Sequence, residues 1–137
     1  MKRFAHAAVL LSLLGSAALA ADKAEEGGQQ SVPISPVALP IVVDGKLVNY
    51  VFVTVRLDLS PTANTSKLRE KEPFFRDALV RAAHRTPFTL PSDLTRIDEA
   101  KLKAVFLRDA QAIGGPAVRA VRIESQAPKS TRVASAR

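Results

Sequence analysis

The stretch Leu47 to Leu59, LVNYVFVTVRLDL, decides the fold of this chain. From Tyr50 onward the side chains alternate between two sides. One side carries the apolar residues Val51, Val53, Val55, Leu57 and Leu59. The other side carries Tyr50, Phe52, Thr54, Arg56 and Asp58. A period of two over ten residues predicts a long β-strand with one buried face, which the neighbouring elements are expected to cover.

The segments next to this strand predict a β-hairpin. Asp44-Gly45 separates two β-prone runs, and both turn positions favour positive φ, so we expect strands at about 38–43 and 46–59. Because the second strand is much longer, its far half must pair with another strand or remain an exposed edge. Residues 21–36 are small and polar with two prolines, and they predict a flexible linker.

Two helices and a last strand follow. A helix is expected over 66–84, capped by Thr65 or Ser66, with a kink or restart at Pro73. A second helix is expected over about 98–113, with Thr95 and Asp98 as competing caps.

Gly114-Gly115 predicts the end of the second helix. Residues 117–123 predict a final strand beside the long one, and 126–137 a disordered basic tail. The sum is a single α+β domain over 37–125. It has the order β-β-α-α-β, a small antiparallel sheet of about three strands, and two helices packed on one face.

The first twenty residues, MKRFAHAAVLLSLLGSAALA, have the layout of a secretory signal peptide. Lys2 and Arg3 precede an apolar run over 7–14, which is shorter than the ~20 residues that cross a bilayer. We therefore predict cleavage after Ala20 and export to the periplasm. An uncleaved inner-membrane anchor facing the periplasm is the alternative, and membrane contact is expected only in that case.

Composition excludes several chemistries. The chain has no cysteine and two histidines, so disulfides, thiolate catalysis and multi-histidine metal sites are excluded. The net charge is +7, and without Lys2 and Arg3 of the leader it is +5 (18 basic and 13 acidic residues). This charge is spread along the predicted helices and tail, which favours a solvated surface over nucleic-acid binding. We expect no cofactor.

Candidate polar sites each have a structural interpretation that is stronger than a catalytic one. His84 lies near a predicted helix C-terminus, where an imidazolium complements the helix dipole, and no nucleophile stands at a recognisable spacing. The acidic pairs Glu70/Glu72 and Asp98/Glu99 lie in first helical turns, where carboxylates are favoured without any catalytic role. We therefore predict no catalytic residues.

The second side of the long strand is the candidate interaction surface. If both helices cover the valine face, then Tyr50, Phe52, Thr54 and Arg56 stand on an open sheet face. Clustered exposed apolar side chains often mark a contact surface, so we expect a protein partner or self-association there.

Several stretches resemble the periplasmic domain of the flagellar basal-body-associated FliL family over about 37–123. They are YVFVTVRLDL, KEPFFRDALVRAAHRTPF, DEAKLKAVFL and AVRAVRI. The resemblance implies a non-enzymatic domain that associates with the stator units of the motor and can oligomerise. Pro73, Arg76 and Asp77 match landmark positions of that family, which implies structural or interfacial roles for Arg76 and Asp77. The cleavable leader and the basic tail depart from the family pattern.

Two further functions remain open at this point. A small ligand- or lipid-binding module would need an unfilled pocket lined by Phe75, Phe88 and Phe106. A hydrolase would need a converging set of polar groups that the sequence does not display.

Overall fold

The computed structural model describes residues 29–129. The predicted leader, half of the predicted linker and most of the predicted tail lie outside the described residues. The strands are β1 (Ser31–Val43), β2 (Lys46–Leu59) and β3 (Val118–Pro128). The helices are α1 (Thr65–Glu70), α2 (Glu72–Arg85) and α3 (Glu99–Gly114), and a 3₁₀ turn over Gly115–Ala117 leads into β3.

The long strand β2 is the centre of an antiparallel sheet with the order β1-β2-β3. Its pairing with β1 runs from Ser31 opposite Asp58 to Val43 opposite Lys46. On its other side, β3 pairs with β2 from Val118 opposite Leu59 to Pro128 opposite Val51. The prediction of a three-stranded α+β fold, with the last strand beside the long one, is confirmed.

The predicted linker boundary at residue 36 is wrong, because β1 already begins at Ser31. Val32 and Ile34 are at most 2% exposed and extend the core alternation toward the N-terminus. Prolines are tolerated here because β1 is an edge strand, where outward-facing positions need no N–H for the ladder. A bulge between Ile34 and Val37 takes up the extra chain. With this longer β1, the far half of β2 is paired on both sides, and it does not form the exposed edge that the sequence left open.

The predicted tail boundary at residue 126 is also wrong, because β3 continues to Pro128. The pairing register shifts between Thr54 and Val55, because Glu124 is an extra residue in β3. This shift changes which side chains of β3 face the helices. After this shift Gln126 accepts a hydrogen bond from the Ile97 N–H at 3.1 Å and donates one to Glu99. The bulge interrupts the alternation of apolar residues, and therefore the strand pattern in the sequence ends before the strand does.

The structure has most of the turns and helix caps that the sequence predicts. Asp44 and Gly45 both have positive φ, at 50° and 73°, as the predicted hairpin turn requires. The first predicted helix is interrupted at Lys71, and Pro73 lies in the first turn of α2. Asn64, rather than Thr65 or Ser66, caps α1 by accepting from the Lys67 N–H. The side chain of Asp98 caps α3.

The helices cover one face of the sheet. Residues from all three strands and the three helices form one continuous core, which contains the whole valine side of β2 from Val51 to Leu59. Phe75, Phe88 and Phe106 lie in that core and are each at most 1% exposed. A ligand in the pocket postulated between them would have to displace packed side chains. Within residues 29–129, no helix has the length and apolar character needed to span a bilayer.

Gly114, the last residue of α3, is closely approached by packed side chains. Its φ of −100° is accessible to any residue, so conformational freedom is not the reason for glycine. A Cβ atom at this position would lie 2.8 Å from Val118 Cγ2 and 3.1 Å from both Leu68 Cδ2 and Phe75 Cζ. The end of α3 is therefore packed directly on β3, α1 and α2.

We expect Gly114→Ala to lower the free energy of unfolding by about 1–3 kcal/mol, because the added methyl overpacks this contact. Urea denaturation measures the change. Gly45→Ala is the comparison, since its Cβ meets no atom within 4 Å and its cost comes only from the positive φ. A Gly114→Ala variant more stable than wild type, as helix propensity alone predicts, would contradict this packing.

Candidate functional site: the open face of the sheet

The open face is the side of the sheet that the helices leave uncovered. On β2 it consists of Tyr50, Phe52, Thr54, Arg56 and Asp58. Phe52 is 48% exposed, and Tyr50, Thr54 and Arg56 are partly buried. The positions opposite Phe52 are Ala38 on β1 and Ala127 on β3. Two small residues therefore flank the phenyl ring on the neighbouring strands, and a partner can reach it from above.

Charged side chains border one end of the open face. Arg56 Nε lies 2.5 Å from Glu124 Oε1, and its Nη1 donates to Ser31 Oγ at 3.1 Å. Next along the sheet, Arg122 Nη2 lies 2.8 Å from Asp58 Oδ1. Asp58 is only 8% exposed although it points away from the helices. These cross-strand pairs hold the guanidinium groups in place on an otherwise uncovered surface.

Arg76 and Asp77 do not join the open face. Both are exposed on α2, which packs on the other side of the sheet next to β1. They line a groove of about 540 Å³ together with Ser35, Glu72, Pro73 and Val80. Asp77 pairs with Arg81 at 2.8 Å, whereas Arg76 forms no ion pair with any described residue. The structure thus divides the six predicted surface residues between two separate places.

Three of the four acidic residues weighed as catalytic candidates have structural contacts, whereas Glu70 is exposed at the end of α1 rather than in a first helical turn. Glu72 accepts from the Ser35 N–H at 2.7 Å and fastens α2 to the bulge in β1. Asp98 accepts from the Lys101 N–H at 3.0 Å as a helix cap. Glu99 contacts Gln126 and Arg96. Each of these three carboxylates therefore serves helix attachment or capping.

His84 lies on the exposed side of α2, where its Nδ1 is 2.8 Å from the Val80 carbonyl oxygen. This contact within its own helix agrees with the surface role expected from the sequence. Among the residues that the structure describes, no cluster of three or more His, Cys, Asp or Glu side chains could hold a metal ion.

Exposed apolar residues outside the predicted surface were missed at the sequence level. Leu47 and Val48, after the hairpin turn, are 51% and 48% exposed, and Phe74 on α2 is 63% exposed. Leu47 and Val48 are consecutive, so they break the alternation that predicts burial of one of them. That break in the pattern was the available signal. Phe74 differs from buried Phe75 only by its position around the helix.

The loop after α2 fastens the hairpin to the rest of the domain. Thr89 Oγ1 donates to the Val42 carbonyl at 2.9 Å and accepts from the Val42 N–H at 3.0 Å. Asn49 Nδ2 donates to the Leu94 carbonyl at 3.2 Å. In the same loop, hydrogen bonds from the Thr95 hydroxyl and N–H lower the pKa of Asp93 below its ordinary value.

No protein-family model matches this chain, and no curated protein matches it. The fold and surface define a class, a small α+β domain with one covered and one open sheet face. The functional proposal therefore depends on the geometry of that open face and on the sequence patterns described above.

We expect Arg122→Ala to lower the free energy of unfolding by about 1–2 kcal/mol, because the largely buried Asp58 carboxylate loses its charged partner. Arg119→Ala is the matched control, since Arg119 is exposed on the same strand and forms no ion pair with a described residue. Equal urea midpoints for the two variants would show that the Asp58–Arg122 contact adds nothing.

We expect Thr95→Val to raise the pKa of Asp93 toward its ordinary value, because the hydroxyl donor is removed. A lowered carboxyl pKa stabilises the fold above the ordinary value of 3.8 and loses that effect as pH falls through the folded-state value. The variant should therefore be less stable than wild type at neutral pH and approach it in acid. An NMR titration of Asp93 that gives one pKa for both proteins would contradict the assignment.

Proposed function

We propose that this chain is a non-enzymatic, exported accessory protein that acts through protein–protein contacts made by the open face. The observation that carries the proposal is Phe52, which is 48% exposed at the middle of the central strand. The strand pairing on both sides of β2 holds its backbone in place, so the ring can be presented with little loss of conformational entropy on binding.

The arrangement around Phe52 supports this proposal. Aromatic and arginine side chains are the residues that most often contribute strongly to binding between proteins. Here Phe52 and Tyr50 lie on the same face of β2 as Arg56, farther along the strand, and the Arg56 guanidinium is held by Glu124 and Ser31. An apolar centre with a bordering set of charged groups corresponds to the usual anatomy of a protein interface.

The finer proposal concerns the identity of the partner. The resemblance of the long strand and of the α2 segment to the FliL family supports an inner-membrane motor or stator component as the partner. Arg76, which forms no ion pair with a described residue, lies in the α2 groove and supplies a second possible contact on the other side of the molecule. Self-association through the open face is the competing outcome.

The test uses the exported chain with an affinity tag, cross-linked in cells and recovered from the periplasm and inner membrane. We expect Phe52→Glu to reduce the recovered partner about tenfold or more, which corresponds to at least ~1.4 kcal/mol of binding. Phe74→Glu is the matched control, because it makes the same change at a more exposed ring on another face.

The outcomes distinguish the parts of the proposal. Recovery of stator proteins with wild type and the control, but not with Phe52→Glu, supports both the surface and the partner. Recovery of the same proteins with all three chains would refute the role of the open face. Repeated recovery of unrelated proteins only, lost with Phe52→Glu, would retain the surface and refute the motor assignment.

A further inference from the structure

The turn end of the β1–β2 hairpin exposes two aliphatic side chains that the fold does not use. Leu47 is 51% exposed and Val48 is 48% exposed. The register between β1 and β2 shifts at Val48, which is the extra residue of a β-bulge, and both side chains remain uncovered at this end of the sheet. Pairing between β2 and β3 reaches only Val51 opposite Pro128, so β3 does not flank this segment. We call Lys46, Leu47, Val48, Tyr50 and Lys129 the hairpin tip.

Basic groups surround these aliphatic side chains. Lys46 is exposed beside Leu47, and Lys129 Nζ lies 5.7 Å from the centre of the Tyr50 ring. The Lys129 N–H also donates to the Tyr50 carbonyl at 2.8 Å, which places the end of the described chain at the tip. Eight further residues follow in the sequence, with two arginines and no acidic residue. Asp44 in the turn and Asp93 in the adjoining loop oppose this charge.

We propose that the hairpin tip docks on the surface of an anionic lipid bilayer. Lysine ammonium groups are attracted to anionic headgroups, and tyrosine is favoured at headgroup depth. Leu47 and Val48 can enter the boundary between headgroups and acyl chains without unfolding, because they already project from the sheet. This contact goes beyond the proposed protein contacts of the open face.

The shape of the hairpin tip favours a membrane over a protein partner. A stable protein interface buries about 800 Å² on each side, and the apolar part of the tip is two adjacent side chains. Two exposed aliphatic residues beside Lys46 and Lys129, with a basic sequence following, instead fit an anionic lipid surface. Docking there would engage Tyr50, which belongs to both surfaces, and would leave Phe52 on the open face available for a protein partner.

The first experiment uses tryptophan fluorescence, because the chain contains no tryptophan. Leu47→Trp places the only indole at the tip, and Phe74→Trp places it on α2 as the matched reporter. Each full-length exported variant is mixed with phosphatidylglycerol vesicles and, separately, with phosphatidylcholine vesicles. We expect the emission of the tip reporter to shift to shorter wavelength with the anionic vesicles only, and that of the α2 reporter to stay unchanged.

The second experiment measures the charge contribution by vesicle sedimentation. The double variant Lys46→Gln with Lys129→Gln should bind phosphatidylglycerol vesicles about 25-fold more weakly. Each lysine near an anionic surface strengthens binding roughly fivefold, and the two effects multiply. The control pair, Lys67→Gln with Arg69→Gln, removes the same charge from α1. That helix follows the opposite end of β2, so the rise of the strand places it roughly 40 Å from the hairpin tip. This distance is about four Debye lengths at 0.1 M salt, so the control charges contribute little at the tip. We expect less than a threefold change from the control pair.

Four results would overturn the proposal. They are absence of vesicle binding, equal loss of binding with the tip pair and the control pair, a shift of the α2 reporter equal to that of the tip reporter, and a tip shift that depends on protein concentration without vesicles. The last result would assign the tip to contacts between copies. Binding through a retained leader leaves the tip reporter unshifted and counts against the proposal too. Because Phe52 is unchanged in every variant, these results are independent of the test of the open face.

Discussion

The pairing of β2 on both of its sides is the constraint on which the rest of the structure depends. A central strand paired along its length leaves its side chains only two directions, and the valine side must be removed from water. Each buried valine or leucine contributes about 1.5–3 kcal/mol, so the covered face of β2 is a large share of the stability of a cysteine-free domain. The helices are held where they cover that face, through Phe75 on α2 and Phe106 on α3.

The same constraint produces the open face. Helices of this length cover one side of a three-stranded sheet, and the other side of β2 stays uncovered with Phe52 at its middle. The domain stabilises this side with cross-strand ion pairs, such as Arg122 with the nearly buried Asp58. Polar attachment of the helices uses other groups, including Glu72 at the bulge of β1 and Asp98 at the start of α3. Three of the four carboxylates considered for catalysis thus have structural contacts, and the rigid open face is the surface best arranged for recognition.

The two edges of the sheet and its two ends differ in ways that matter for binding. The edge formed by β1 carries prolines and a bulge, and side chains of Glu72 and Thr89 contact its outward backbone groups at Ser35 and Val42. These features discourage strand addition there. At the turn end the helices and β3 do not reach the side chains of Leu47 and Val48. A single sheet therefore presents a flat aromatic surface and a basic, apolar tip, two chemically different places for contact.

The sequence alone determined the features that depend on neighbours along the chain. Alternation identified β2 and its buried side, and Asp44-Gly45 identified the turn. Gly114-Gly115 identified the end of α3, where Gly115 has a positive φ, whereas the cap of α3 was narrowed only to Thr95 or Asp98. The side of β2 that would remain open followed from the same alternation. Tertiary structure decided the rest, because strand partners and packing distances are set between residues far apart in the chain. Only pairing with β2 shows that 31–36 and 126–128 belong to the sheet. Only the approach of Val118, Leu68 and Phe75 explains Gly114, and only the position of α2 separates Arg76 and Asp77 from Phe52.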